Sequence, residues 1–245
     1  MFSEVKELAL NHSRKVLAEA LELRRQLISP RVFSKEYKSE WELELWNELK
    51  EVLDENILLL GKDSGLHGDL DSKWVCICDL FDGSKNFFTD MKFYAYSLAL
   101  ARDNELVFSI VIDLENNDVY LAEKDKGAFL NDVSLSTLSS RYVDSYDLAI
   151  DNVPVSRGFY MGCAALQFCY IAKGCFRFLI GKTCNIDIAA GYLIAKEAGV
   201  KVLDWKLQEL ALPVRKRIMV RYLLGRSKDI VEENEFLSSI LREIK

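Results

Sequence analysis

The chain predicts an α+β protein of layered helices and sheets, on three observations. Two amphipathic helical stretches lead it, a run of short strands separated by turn residues follows, and strands then alternate with helices. Residues 3–28 place Val5, Leu8, Ala9, Val16, Ala20, Leu23 and Leu27 at mostly three- or four-residue steps, the period of a helix with one buried face. After Pro30 the segment 38–54 repeats that period through Trp41, Leu45, Leu49 and Leu53. Its residues Glu40, Glu42, Glu44, Glu48 and Lys50 read as a solvated face. A strand starts at 57–60 and is broken by Gly61 and a polar loop, 62–73. Residues 74–78 form a short continuous apolar run, as a buried strand requires. Strands over 94–101, 106–113, 119–123 and 128–130, with turns between them, make an antiparallel meander. Beyond it, strands 148–152, 176–180, 200–203 and 218–224 alternate with helices 163–173, 188–198 and 229–244. Gly174 and Gly199 act as helix stops. The chain thus divides into an N-terminal α+β half, 1–145, and a C-terminal α/β half, 146–245.

Of the 245 residues half are apolar and 29% are charged, with a formal net charge of −6. That composition excludes a disordered chain, and its acidic balance argues against a nucleic-acid partner, whose phosphates call for Lys and Arg. No apolar run approaches the roughly 18 residues of a membrane helix. The first fifteen residues read as an amphipathic helix and not as a signal peptide, so a cytoplasmic protein is expected. Six cysteines without a C-x-x-C pair, and two histidines far apart (His12 and His67), argue against a zinc site. The cysteines read as small buried hydrophobes; Cys76 and Cys78, on one strand, are expected to face opposite ways.

Chemistry concentrates in two segments. Asp79-Leu80-Phe81-Asp82-Gly83-Ser84 sets two carboxylates three residues apart directly after a buried strand. Oxygen donors of this kind suit Mg²⁺, and Gly83 and Ser84 open a short helix whose free N–H groups can seat a phosphate. The same letters also describe a plain Asp-Gly turn. Asp187, in Cys184-Asn185-Ile186-Asp187-Ile188-Ala189-Ala190-Gly191, is either a further ligand or the N-cap of the helix that follows.

Together these segments resemble the inositol monophosphatase family of Mg²⁺-dependent phosphatases, which is grouped with the fructose-1,6-bisphosphatases. Trp74, Asp79, Asp82, Gly83, Ser84, Asn86 and Phe87 match its first signature. Asp187, Ala189, Ala190, Glu197, Ala198 and Gly199 match its second. Lys126-Gly127-Ala128-Phe129-Leu130-Asn131 and Gly162-Cys163-Ala164-Ala165-Leu166 are similar to two further family motifs between them. The resemblance implies an α-β-α-β-α sandwich, a homodimer, and Mg²⁺ at the junction of two halves. It makes Asp79, the Phe81 carbonyl, Asp82 and Asp187 metal ligands. It assigns substrate contacts to Gly83, Ser84 and Asp187, and water activation to Ser84 and Asp79. The implied activity is hydrolysis of a small polyol or sugar phosphate by metal-activated water, with selectivity in the segments 156–162 and 180–185.

The chain also departs from the family. Lys62 stands where the family carries a metal-binding Glu, leaving Asp63 as the nearest carboxylate to act in its place. The family's upstream acidic segment has no counterpart between Ser34 and Leu45, Leu80 replaces a Pro, Ile186 replaces a Trp, and Ile180 occupies the position of a polyol-contacting acid. Lys62 is expected to form an ion pair with Asp79 or Asp82. The alternative activity is therefore none: a catalytically degenerate member that serves as a binding or structural subunit.

Overall fold

Helix α1 (Phe2–Arg25) buries Val5, Ala9, Val16, Ala20 and Leu23 along one stripe. It stops short of residue 28 because Leu27 turns left-handed, with φ 58°, and Ser29 caps the next segment, α2 (Pro30–Val32), which has Pro at its first position. A π-helical turn, Phe33–Lys38, then runs into α3 (Ser39–Leu53). The computed structural model that shows this describes residues 1–135, 146–151, 159–226, 230–231 and 234–243.

The first sheet contains β1 (Ile57–Gly61), β2 (Gly65–His67), β3 (Trp74–Asp82), β4 (Ala95–Arg102), β5 (Glu105–Asp113), β6 (Val119–Glu123), β7 (Gly127–Leu130) and β8 (Val133–Ser134). Their order is β2-β1-β3-β4-β5-β6-β7-β8. From β3 onward the neighbours are antiparallel, as the meander predicts, whereas β1 and β3 run parallel. The loop expected over 62–73 contains β2, and β3 continues four residues past its expected end at Cys78. Helix α4 (Ser84–Phe88) follows it directly.

The second sheet has the order β10-β9-β11-β13-β12. Its strands are β9 (Tyr146–Asp151), β10 (Phe159–Tyr160), β11 (Phe176–Cys184), β12 (Lys201–Leu203) and β13 (Met219–Gly225). Helices α5 (Ala164–Lys173) and α6 (Asn185–Glu197) cover its inner face, and α7 (Asn234–Glu243) covers its outer face. Of the segment 180–185, expected to carry selectivity, residues 180–184 are strand and Asn185 opens α6; residues 156–158 lie outside the described residues, as does residue 145 at the expected half boundary.

Among the described residues three apolar cores join five layers, the middle one spanning both faces of the central helices. One packs α1 and α3 on the first sheet, the largest fills the space between the sheets around α5 and α6, and the third lies under α7. The architecture is the expected α-β-α-β-α sandwich. Strand β3 shows how it is assembled: Val75 and Ile77 enter the middle core, while Trp74, Cys76 and Cys78 enter the outer one. Cys76 and Cys78 therefore face the same way, contrary to expectation, because strand side chains alternate and residues two apart share a face. All six cysteines are free thiols. Among the described residues no helix is long and apolar enough to cross a membrane.

Candidate functional site

The parallel ladder pairs Gly61 with Cys78, and the Lys62 N–H extends it by donating to the Cys78 carbonyl at 3.0 Å. The chain leaving β1 therefore passes beside Asp79. Its path is fixed by Glu42, which is fully buried and accepts from the N–H groups of Lys62 (3.0 Å), Asp63 (3.1 Å) and Ser64 (2.7 Å) and from Ser64 Oγ (2.6 Å). A Cβ at residue 61 would run into Ser64 Oγ and Glu42 Oε2, so glycine there leaves room for the carboxylate and its donors. Glu42 is thus not on a solvated face. It continues the stripe of Leu45 and Leu49 at helical spacing, and Lys38 lies one turn before it.

At the end of β3 an irregularity between Asp79 and Asp82 breaks the register with β4. Gly83 follows at φ 83°, a left-handed turn open to glycine, and starts α4. Asn86 in that helix donates to the Phe93 carbonyl at 2.7 Å and the Met161 carbonyl at 2.6 Å, tying the first sheet to the segment before α5. Asp82 accepts from the Ala165 N–H at 2.9 Å and from the Cys163 thiol. Asp187 is in the first turn of α6 and is not its cap, which is Cys184; Thr183 Oγ1 donates to Asp187 Oδ2 at 2.7 Å.

These segments gather Asp63, Asp79, Asp82 and Asp187 in one place, together with two ammonium groups. Lys38 Nζ lies 2.7 Å from Asp63 Oδ2 and 3.0 Å from Asp79 Oδ1, with its side chain 5% exposed. Lys62 Nζ forms an ion pair with Asp187 Oδ1. The expected pairing of Lys62 with Asp79 or Asp82 is thereby corrected: Lys38, from the π-helical turn, already occupies Asp79, and Lys62 extends toward α6. Burial alone would raise the Asp79 carboxyl, but Lys38, Lys62 and the Phe81 N–H outweigh it and hold it below its ordinary value. Burial likewise opposes the charge on both lysines, yet the carboxylates keep Lys38 and Lys62 above theirs. Asp63 is raised, by burial first, because Lys38 only partly compensates. Burial and the nearby charges of Asp79 and Asp187 push Asp82 up to about 7. Burial takes Glu42 to about 7 as well, against the donors that favour its ionised form.

Of the other expected residues, Gly83 is buried and Ser84 half-buried at the start of α4, next to Asp82. The Phe81 ring packs among Phe33, Phe87 and Tyr94. Ile180 is fully buried in the core under α7, so it is not a substrate-contact position. Glu197 accepts from the N–H groups of Asp125 (3.0 Å) and Gly127 (2.9 Å), which makes it a brace for the β6–β7 turn. Lys38, Glu42 and Thr183 were not singled out from the sequence. The buried stripe 38-42-45-49 was the legible signal for the first two.

A resident Mg²⁺ requires oxygen donors free to converge on it at about 2.1 Å. Here Asp79 and Asp187 each carry an ammonium, and among the described residues no group of three or more His, Cys, Asp or Glu side chains is arranged to hold a metal ion. The residues present do not fit the ion.

A five-layer sandwich with clustered carboxylates where its sheets meet is the form of a sugar-phosphatase-type protein. The profile of the Inositol monophosphatase family matches residues 33–235, and the chain belongs to that family. It is 26% identical over 196 residues to the fructose-1,6-bisphosphatase/inositol-1-monophosphatase of Methanocaldococcus jannaschii, covering 75% of this chain and 77% of that one. It is 32% identical over 163 residues to the putative Nus factor SuhB of Neisseria meningitidis serogroup A, covering 58% of this chain and 62% of that one. In fold it is similar to inositol monophosphatase-II from Staphylococcus aureus, with a TM-score of 0.76 at 17% identity over 98% of this chain and 96% of that one.

Proposed function

We propose that this chain is a catalytically degenerate member of the inositol monophosphatase family, acting as a binding or structural subunit. One observation carries the reading: the Lys38 and Lys62 ammonium groups sit on the carboxylates that metal-activated hydrolysis would need for its cation. Lys62 follows the β1 strand at the position the family resemblance gives to a metal-binding Glu. An ammonium there turns attraction for Mg²⁺ into repulsion, each of about 4 kcal/mol even for unit charges 4 Å apart at an effective dielectric of 20. Asp63 does not restore the lost ligand, being engaged by Lys38. The relative named Nus factor SuhB is in keeping with a role other than hydrolysis.

A second reading is favoured by the retention of Asp79, Phe81, Asp82, Gly83, Ser84 and Asp187 and by the relative named for two phosphatase activities. In it the protein is a Mg²⁺-dependent phosphomonoesterase, homodimeric as the resemblance implies, acting on a small polyol or sugar phosphate. Phosphate release from a panel of inositol, fructose and nucleotide phosphates, with Mg²⁺ raised from micromolar to tens of millimolar, separates the two. No release on any substrate is expected. Turnover that rises with Mg²⁺ would establish the second reading.

A further inference from the structure

We propose that Lys38 and Lys62 are the resident cations of this junction: a two-lysine lock that ties three layers together without metal and holds shut a latent divalent-cation site. The inference deepens the degenerate reading and rests on it for the absence of a bound ion. Lys38 belongs to the helical layer outside the first sheet, and its partner Asp79 to that sheet. Lys62 leaves the first sheet, and its partner Asp187 opens α6 in the middle layer. Each ammonium thus spans one layer boundary, where the surrounding contact is apolar and carries no direction.

Four carboxylates crowded at one junction repel one another and oppose folding unless a cation lies among them. A divalent ion would meet that need only when bound, whereas covalently attached lysines meet it at any metal concentration. The backbone that carries Lys62 is held from two sides. Glu42 fixes the backbone at Lys62 from one side, and Arg217 Nη1 donates to the Lys62 carbonyl at 2.9 Å from the other. Lys38 is 5% exposed and Asp79 4%, so neither charge could stay in place without the other.

The test uses the full chain and two readouts, thermal unfolding and calorimetric titration with Mn²⁺. In the wild type, 10 mM Mg²⁺ in place of EDTA should move Tm by less than about 1 °C. A bound ion at 100 times its Kd would instead raise Tm by about 5–10 °C, and a rise of that size overturns the proposal. Lys38→Met and Lys62→Met should each lower Tm by several degrees in EDTA; unchanged melting in both variants also overturns it. The double variant Lys38→Asp/Lys62→Glu should acquire a Mn²⁺ binding isotherm that the wild type lacks and should regain Tm when the ion is added. If the double variant does not fold, Lys62→Glu alone is titrated, and no binding in the folded variant refutes the latent site. Phosphate release by a wild type that binds no Mn²⁺ would refute the degenerate reading and leave the lock standing, so the two failures are distinguishable.

Discussion

Replacing Glu42 by Gln tests whether a single buried carboxylate shapes the site loop. Glu42 accepts four hydrogen bonds, from three successive backbone N–H groups and the Ser64 hydroxyl. The amide that replaces it keeps one acceptor oxygen and turns an NH₂ donor toward those donors. Two groups lose their partner, at about 1–3 kcal/mol each, and the remaining bonds lose their charge assistance. Water reaches part of the half-exposed loop, so a loss of about 3–5 kcal/mol is expected above pH 8, or about 6–20 °C in Tm for a chain of this size. The pH dependence has a definite sign. Burial raises the Glu42 carboxyl to about 7, so between about pH 4.3 and 7 the folded state holds a proton that the unfolded chain has released. Stability from this group falls as pH rises through that window and is level above it. Gln does not titrate and so lacks this pH-dependent gain, and the gap between wild type and Glu42→Gln should widen as pH falls below 7. Urea unfolding at pH 5.5 and 8.5 measures both values, and amide exchange at residues 62–64 reports the loop directly. A variant within about 0.5 kcal/mol of wild type at pH 8.5, with protected amides at 62–64, would refute the reasoning.

Asp82 is pushed up to about 7 by burial and by Asp79 and Asp187, so Asp82→Asn should match wild type near pH 4 and exceed it in stability at pH 8, as thermal melts across that range will show. Gly83→Ala places a Cβ 2.7 Å from the Phe93 carbonyl at φ 83°, and chemical denaturation should record a loss of about 2–4 kcal/mol. Five of the six thiols are buried, so a thiol reagent should find at most Cys175 in the native protein and all six after unfolding; fewer than six would reveal a disulfide.

The layer plan and most of the candidate site were legible before any coordinates. Helical spacing marked α1 and α3, alternating turns and strands marked the meander, and the D-x-x-D-G-S and N-I-D segments marked the carboxylates that converge. Those features are local, since side-chain period and turn chemistry are written within a few residues of each other. Where the local reading failed, tertiary packing overrode it. Glu42 looked solvated among four other charges, yet it is buried because the loop after β1 folds down on it and supplies donors from residues twenty positions away. Ile180 looked like a substrate position and lies in a core, because the face of β11 that carries Phe178 and Ile180 is covered by α7. Sequence alone determined that residue 62, where the family resemblance leads one to expect a glutamate, is a lysine. Only the folded chain decided that Lys62 would meet Asp187, 125 residues on, and that a second lysine, at 38, would take Asp79. The physical reason is that charge pairing depends on distance in space: a site assembled from a π-helical turn, two strands and the start of a distant helix has no spacing in the sequence that announces it.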